Sequence, residues 1–279
     1  MAQLTHRLRV GVADLGDHTN HRKQVGFMIR RLAVLGALPA IVGLGIATGA
    51  SPAQAAPTPS PAAYRATVLR AAAKMQPHAA GTSYETCSLV PPARVRVVQQ
   101  FDLFNNRLTG GCVLHKGPSA IWYIGDSLGQ SISSVLFDHE TSGVAPLFAE
   151  TPLGQQTWKG WIAFDAEGHN YSQNTPTTTF KVGSWAGLQT SRSGSKVTID
   201  TRAVRYATSL DYNIPWANET GVIQYRAKGG TAWTSLKSFT TNSAGATSYS
   251  YTSTATWDYR AVYTEQSTIW GATSPTSQR

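Results

Sequence analysis

The sequence predicts an all-β protein, built as two tandem antiparallel β-sandwich domains that follow an export signal and a short linker. Two observations predict this class. Between residues 94 and 263, short segments alternate apolar or aromatic residues with polar ones, as half-buried strands do, and turn residues separate the segments. No apolar pattern of helical length lies between these segments, which argues against a fold that alternates strands with helices.

The first 55 residues are predicted to be a signal peptide and not part of the fold. A basic stretch at residues 22–31 precedes an apolar run at residues 32–46, and small residues follow up to Ala55. Pro39 and three glycines interrupt the apolar run, which makes a permanent membrane span the weaker interpretation. We therefore expect cleavage near Ala55, a secreted or extracellular protein, and no permanent span after cleavage.

Two details of this leader stay open. Met28 is followed by Ile-Arg-Arg and would make a conventional start, so residues 1–27 are consistent with an over-extended reading frame. The Arg30-Arg31 pair resembles a twin-arginine export signal. The residues around the pair fit that signal only loosely, so the general secretory route is the preferred interpretation.

The charge of the chain is modest once the leader is set aside. Six of the 24 Lys and Arg residues and two of the 15 Asp and Glu residues precede residue 56, so the remainder carries about +5 and not the +9 of the whole chain. These charges are scattered and form no basic run. Nucleic-acid binding needs a clustered basic surface and is therefore not expected. A weak attraction to anionic cell-wall polymers is compatible with the charge.

The two cysteines, Cys87 and Cys112, are predicted to form a disulfide, because an exported chain meets an oxidising environment. Closing this loop is expected to stabilise the fold by roughly 3 kcal/mol. The alternatives are a metal site or a reactive thiol. Two cysteines without a nearby histidine pair make a poor metal site, and no metal and no cofactor are predicted.

The first predicted elements follow the leader in order. Residues 56–86 are predicted to form a Pro- and Ala-rich linker. Within it, residues 62–75 show helical spacing, and both a short helix and a disordered leader are compatible with this stretch. A first β-sandwich domain is expected over residues 87–184. Its strand candidates share apolar alternation and are Arg94–Val97, Gly111–His115, Ala120–Ile124, Ser133–Phe137, Thr157–Phe164 and Thr177–Val182.

A Ser- and Gly-rich stretch at residues 184–194 marks the predicted domain boundary, and the second domain is expected over residues 185–279. Its inward-facing positions follow a period of two and are Val197, Ile199, Thr201, Ala203, Ile223, Tyr225, Ala227, Trp257, Tyr259, Ala261 and Tyr263. Between them, Trp233, Leu236 and Phe239 are spaced by three, which breaks the alternation and predicts a β-bulge.

This second stretch resembles a known family. Gly221-Val-Ile-Gln-Tyr-Arg, then Gly230, Trp233 and Leu236, then Tyr259-Arg-Ala-Val-Tyr, are similar to bacterial Ig-like domains of secreted proteins from high-GC Gram-positive bacteria. Fibronectin-III-like modules share the architecture. The resemblance covers roughly residues 186–277, and residues 87–183 look like a more divergent relative. It implies a sandwich fold that serves as spacer, adhesin or accessory module, and it implies no catalytic residues.

One motif hints at an enzyme. Gly125-Asp-Ser-Leu128 follows a predicted strand and is similar to the nucleophile block of GDSL-type esterases, in which the serine, here Ser127, attacks an ester. Those enzymes also use a late Asp-x-x-His, and this chain has no histidine after His169. Their fold is α/β, whereas this chain predicts strands. A Gly-Asp-Ser turn between strands is the preferred interpretation, and a GDSL-type hydrolase is kept as the second alternative.

Two further polar sets are interpreted as loops. Asp138-His139-Glu140 collects a base and two carboxylates, but neighbouring strand residues point to opposite faces and do not converge easily. The loop at residues 165–170 offers Asp165, Glu167, His169 and Asn170 as candidate ligands to a cation such as Ca²⁺. Only two carboxylates are present and the stretch matches no calcium loop, so a solvated hairpin turn is expected.

Eight tryptophans give the chain a high aromatic load, and most are expected to pack in the core. Trp161 is spaced by two residues from both Lys159 and Ala163 and should share their face of the strand. That face is opposite the one that carries Trp158 and Ile162. Trp216 follows Pro215 in a predicted loop. Trp161 and Trp216 are therefore the candidate exposed rings for contact with a ligand, with packing between domains as the alternative.

These observations favour a secreted or cell-surface protein with a binding or structural role and no enzymatic activity. Its candidate partners are a cell-wall glycan or another extracellular protein. A polysaccharide-binding module that uses exposed tryptophan is the first alternative. The second domain contains no histidine or cysteine. Any specific function is therefore expected in the domain that carries the disulfide, or where the two domains meet.

Overall fold

The computed structural model describes residues 59–75, 82–115 and 117–279. The predicted signal peptide and the Arg30-Arg31 pair lie outside these residues. The described part is all-β apart from one α-helix and two short 3₁₀ helices, which confirms the predicted class. Within it, no helix is long and apolar enough to cross a membrane.

Helix α1, Pro61–Lys74, is the short helix that the spacing of residues 62–75 allowed. Ser60 caps its start by accepting a hydrogen bond from the backbone N–H of Ala63 at 3.2 Å, and Pro61 occupies the first turn, where its missing N–H costs nothing. Val68 is buried, and the helix packs through it on one face of the first sheet, against Ile121. The helix is thus held by tertiary packing on that sheet.

Ten strands follow the helix and form the first two sheets. They are β1 (Thr82–Val90), β2 (Arg94–Val97), β3 (Phe101–Gly110), β4 (Ser119–Ile124), β5 (Ser133–Asp138), β6 (Ser142–Phe148), β7 (Gly154–Thr157), β8 (Lys159–Phe164), β9 (Asn170–Gln173) and β10 (Thr177–Val182). One sheet has seven strands in the order β5-β4-β8-β9-β1-β3-β6, and the other has three in the order β2-β10-β7. Their shared core includes the fully buried rings of Trp122, Trp158, Phe137 and Phe180.

Two strand pairs depart from the predicted antiparallel arrangement. β1 pairs with β9, and β2 pairs with β10, in parallel. Both pairs join strands that are far apart in the sequence, since parallel neighbours need a long crossover connection. Local alternation shows that a segment is a strand, but it does not show which strand lies beside it or in which direction.

The stretch Gly111–His115, predicted as a strand, contains instead the 3₁₀ helix Gly111–Val113. β3 ends at Gly110, whose φ of 89° lies in the left-handed region that favours glycine. The turn carries Cys112, whose sulfur is bonded to that of Cys87 on β1, so the predicted disulfide is confirmed. Both cysteines are fully buried.

Nine strands form the last two sheets. They are β11 (Ser184–Ser193), β12 (Lys196–Ala207), β13 (Tyr212–Pro215), β14 (Thr220–Ala227), β15 (Thr234–Thr240), β16 (Ala246–Thr252), β17 (Trp257–Tyr263), β18 (Ala272–Thr273) and β19 (Ser277–Gln278). β11, β12 and β13 are neighbours in one sheet, with β16 also paired to β12. The other sheet runs β15-β14-β17-β18, with β19 also paired to β17.

The alternation predicted for this part is confirmed on β12 and at Ile223 of β14, but Ala227, predicted to face inward at the end of β14, is exposed. On β12, Val197, Ile199, Thr201 and Ala203 are buried. The predicted bulge is present too: Ile223 lies opposite Lys237 and Gln224 lies opposite Ser235, which leaves Leu236 as an extra residue on β15.

The strands up to Val182 belong to the first two sheets and those from Ser184 to the last two, but the hydrophobic core is shared. The backbone N–H of Trp270 donates to the carbonyl of Val182 at 3.0 Å, and its indole N–H donates to the carbonyl of Val95, also at 3.0 Å. The guanidinium of Arg94 lies 3.8 Å from the centre of the Trp270 ring. The division into domains 87–184 and 185–279 stays a prediction.

Candidate functional site

Strand β8 carries a β-bulge at Trp161. Where β8 pairs with β4, Ile162 lies opposite Ile121 and Gly160 lies opposite Trp122, so Trp161 is an extra residue. The bulge turns Ile162 to the side of the sheet that Trp161 and helix α1 occupy. The prediction that these two residues face opposite sides is therefore wrong. The prediction that Trp161 is exposed is confirmed, since 55% of its surface is accessible.

Trp161 forms one wall of a groove between β8 and helix α1, which we name the Trp161 groove. Its volume is about 360 Å³, and its lining residues are apolar: Leu69, Ala72, Ala73, Met75, Leu128, Trp161 and Ile162. The volume lies within the range of pockets that hold small molecules. Helix α1 and its C-cap residue Met75 contribute four of the seven lining residues.

Trp216 does not reach the surface. Only 2% of it is accessible, and its ring stacks on that of Tyr263 with centroids 6.2 Å apart. The backbone explains its position: the N–H of Trp216 donates to the carbonyl of Ala203, and its own carbonyl accepts a hydrogen bond from the hydroxyl of Thr241. These bonds anchor the residue at the end of β13 with its ring in the shared core. The prediction that Trp216 is an exposed ligand contact is therefore wrong.

Core packing accounts for most other tryptophans, as predicted. Trp122 and Trp158 are fully buried, and the indole N–H of Trp158 donates to the hydroxyl of Thr178 at 2.9 Å. Trp233 lies between two guanidinium groups, those of Arg226 at 4.4 Å and Arg260 at 4.2 Å from its ring centre. Among the described tryptophans, Trp161 is the most exposed, followed by Trp185 at 38%.

A second groove is larger but lacks an aromatic wall. It has a volume of about 480 Å³ and lies over β11, β12 and the start of β16, lined by Gly187, Leu188, Gln189, Asp200, Thr201, Arg202, Asn242, Ala246, Thr247 and Ser248. Short polar side chains dominate this lining. The Trp161 groove is the better candidate because it offers a large apolar ring for contact.

Ser127, the serine of the GDSL-like motif, is exposed and lies in the connection between β4 and β5. It precedes the 3₁₀ helix Leu128–Gln130, and its carbonyl accepts a hydrogen bond from the N–H of Gln130 at 3.1 Å. Within the described residues, no hydrogen bond joins its hydroxyl to a histidine. The arrangement is that of the predicted turn between strands.

The Asp138-His139-Glu140 stretch lies at the connection from β5 to β6 and is exposed. His139 has a φ of 59°, which takes it out of the strand conformation. Its ring therefore turns back, with Nε2 at 3.7 Å from a carboxylate oxygen of Asp138 and Nδ1 at 3.2 Å from the carbonyl of Gly117. His139 thus lies beside one carboxylate of the stretch, although strand alternation predicts opposite faces.

The loop between β8 and β9 is organised around Asp165, whose side chain is fully buried. One carboxylate oxygen accepts hydrogen bonds from the backbone N–H groups of Glu167 and His169. The other accepts from the ring Nδ1 of His169 at 2.9 Å and from the hydroxyl of Tyr171 at 2.8 Å. The prediction of a solvated turn is therefore wrong for Asp165, which is buried. Glu167 and His169 are accessible, as a solvated turn requires.

These hydrogen bonds set the charge of the loop. Burial raises the pKa of the Asp165 carboxyl, but the bonds from His169, Tyr171 and the backbone outweigh burial and hold the pKa at about 2. The bond to Asp165 raises the pKa of His169. The ligand atoms of Asp165, Glu167 and His169 lie within 4.8 Å of one another, a spacing that could hold a metal ion.

Comparisons with known proteins give structural similarity without a family. No protein-family model matches the chain, and no curated protein matches it in sequence. Among solved structures, the alpha-2-macroglobulin of E. coli in its native conformation is 13% identical with a TM-score of 0.34, over 72% of this chain and 14% of that one. Bovine butyrophilin is 13% identical with a TM-score of 0.32, over 71% of this chain and 99% of that one.

The D0-D1 domain of intimin is 12% identical with a TM-score of 0.23, over 70% of this chain and 97% of that one. This chain thus spans about one seventh of the length of the E. coli alpha-2-macroglobulin. Identities and TM-scores this low carry no information about activity, ligand or partner.

Proposed function

We propose that this chain is an exported, non-enzymatic binding protein of the cell exterior, and that the Trp161 groove is its ligand contact. The proposed ligand is an anionic cell-wall polysaccharide, one of whose sugar rings stacks on the indole of Trp161. The observation that carries this proposal is the accessible ring of Trp161 beside Ile162, two successive residues that a bulge places on the same face of the sheet.

The shape and chemistry of the groove support a sugar ligand. A pyranose ring has an apolar C–H face that packs on an indole. Leu69, with 40% of its surface accessible, lies across the groove on helix α1 and offers a second apolar contact. The groove is therefore a two-walled apolar cleft into which a flat ring fits edge-on or face-on.

Two lysines close in sequence to the groove lining support an anionic polymer. Lys159 precedes Trp161 on β8, and Lys74 precedes Met75 at the end of helix α1; both lysines are exposed. Ammonium groups near an apolar wall attract carboxylate or phosphate groups on a polymer while the ring holds the sugar. The net positive charge of the chain acts in the same direction.

Retention on insoluble glycans tests the proposal. The wild-type chain is mixed with purified cell wall, chitin and cellulose, and the bound fraction is measured against protein concentration. We expect retention on cell wall, and we expect Trp161→Ala to weaken it at least tenfold because the stacking surface is lost. Lys159→Gln should weaken it less, and more at low salt than at high salt.

Trp185→Ala is the matched control, because Trp185 is also an accessible tryptophan but lies on β11, away from the groove. Its retention should equal that of the wild type. Equal loss in both variants would show nonspecific aromatic adsorption and contradict the proposed site. Absence of wild-type retention on all three glycans would contradict the polysaccharide ligand.

A further inference from the structure

A second cluster of side chains lies apart from the Trp161 groove and combines two histidines with two carboxylates. It consists of His115, His169, Glu85 and Glu167, and we name it the two-histidine cluster. The centroids of the two imidazole rings are 6.4 Å apart. Nε2 of His115 lies 3.7 Å from a carboxylate oxygen of Glu85, and Nδ1 of His169 lies 3.7 Å from one of Glu167.

The disulfide holds one side of this cluster. His115 follows Cys112 by three residues and Glu85 precedes Cys87 by two, so the Cys87–Cys112 bond ties together the two segments that carry them. Gly111 makes room for the carboxylate: a Cβ at this position would lie 2.2 Å from Oε2 of Glu85. The side chain of Glu85 thus crosses the turn at a point that only glycine leaves open, toward His115.

The buried carboxylate of Asp165 holds the other side. It accepts the Nδ1 proton of His169 and, on the same oxygen, the hydroxyl proton of Tyr171, whose ring centroid lies 6.0 Å from that of His115. With Nδ1 carrying the proton, Nε2 of His169 keeps its lone pair. A carboxylate behind the histidine is the arrangement that orients metal-binding imidazoles in proteins.

We propose that the two-histidine cluster binds a divalent transition-metal ion of the zinc type through His115, His169 and Glu85, with Asp165 as the positioning residue behind His169. Two imidazoles and a carboxylate are a ligand set that Zn²⁺ takes, and the fourth position falls to water, because Glu167 lies beside Nδ1 of His169, the nitrogen that faces Asp165. Imidazole nitrogen disfavours Ca²⁺ and Mg²⁺, which take oxygen ligands.

Binding requires the two imidazole rings to close on the ion. At a Zn–N distance of about 2 Å, the imidazole centroids on one ion come about 5 Å apart, which is closer than the 6.4 Å seen here. Both side chains have room to move, since 42% of His115 and 43% of His169 are accessible. The backbone at both ends is held by the disulfide and by the Asp165 hydrogen bonds, so rotation of the side chains supplies the closure.

Calorimetric titration of the full chain with zinc chloride tests the site. We expect the wild type to bind one more equivalent of zinc than His115→Ala/His169→Ala does, and each single histidine variant to weaken that binding at least tenfold. Asp165→Asn keeps all three ligands but removes the carboxylate behind His169, and should weaken binding by roughly 10- to 100-fold. His115 is accessible, so His115→Ala should fold like the wild type, whereas His169→Ala also removes a hydrogen bond from the buried Asp165 and its melting is measured beside the titration.

His139→Ala is the matched control, because His139 is an exposed histidine beside a carboxylate but outside the cluster. It should bind zinc as the wild type does. The four histidines outside the described residues are present in every variant, so their contribution cancels in the comparison. Zinc should also shift the imidazole proton resonances of His115 and His169 but not those of His139.

Equal zinc binding by the wild type and the double variant would overturn the proposal. So would dependence on only one of the two histidines, since a shared ion needs both. Preference for calcium over zinc would overturn the nitrogen-ligand assignment. Each of these results leaves the proposed glycan contact at Trp161 untouched, because the two sites share no residue.

Discussion

Loss of the Cys87–Cys112 disulfide should destabilise the fold by about 3.5 kcal/mol. The two cysteines are 25 residues apart in the sequence, and closing a loop of that length removes about 12 cal/mol/K from the entropy of the unfolded chain. At room temperature this entropy corresponds to the stated free energy. Because both cysteines are fully buried, replacing the sulfur atoms also costs packing, so Cys87→Ala/Cys112→Ala should lose slightly more.

Urea unfolding followed by tryptophan fluorescence measures this effect. Many tryptophans are buried in the core, so their emission changes when the fold is lost. With an m-value of about 2 kcal/mol/M, the midpoint of the double variant should fall by roughly 1.5–2 M relative to the oxidised wild type. The wild type under reducing conditions should show a similar fall, which separates the covalent link from the packing of the sulfur atoms.

A fall of less than about 0.5 M in both samples would refute this reasoning. It would mean that the unfolded chain is already restricted over residues 87–112, or that the native turn releases strain when the bond is cut. The m-value serves as a check, because a more expanded unfolded state without the crosslink should raise it.

Two further predictions concern charge. Asp165→Asn should cost about 2 kcal/mol at neutral pH, since the pKa of Asp165 is about 2 in the folded state and 3.8 is its ordinary value. A lowered pKa contributes stability above the ordinary value that is lost as pH falls from about 4 to 2, so the wild-type melting temperature should drop steeply over that window and the variant should drop less. An equal drop in both would contradict the assignment. Glu265→Gln removes a carboxylate that lies 2.7 Å from both Arg94 and Lys181 and joins the two groups of sheets. Because Glu265 is 41% accessible, the expected loss is at most about 1 kcal/mol and should vanish in high salt when melting is compared at two ionic strengths.

Patterns that act locally were predictable from the sequence. Alternation along β12 shows which residues face the core, because a strand turns successive side chains to opposite faces whatever its neighbours are. The spacing of Trp233, Leu236 and Phe239 predicts the bulge at Leu236 for the same reason. The disulfide follows from two cysteines and an expected oxidising compartment, without knowledge of the fold.

The face of Ile162, the residue after the bulge, was not predictable in this way, whereas Trp161 lies opposite Trp158 as predicted. A one-residue bulge reverses every side chain beyond it, and the sequence around Trp161 gives no spacing signal because apolar residues occupy both parities there. The prediction that Trp216 is exposed was wrong for a different reason. Its neighbours Pro215 and Ala217 indicate a loop, but the ring is buried by Tyr263, which lies on a strand much later in the chain.

The amino-acid sequence by itself determined that this chain forms strands, which side chains of the regular strands are buried, and that its two cysteines pair. Tertiary structure decided where function can lie. The groove needs helix α1 against the bulge of β8, and the two-histidine cluster needs the turn after β3 against the loop after β8. Contacts between distant segments depend on strand order, which is set by how the whole core packs and leaves no mark on any short stretch of sequence.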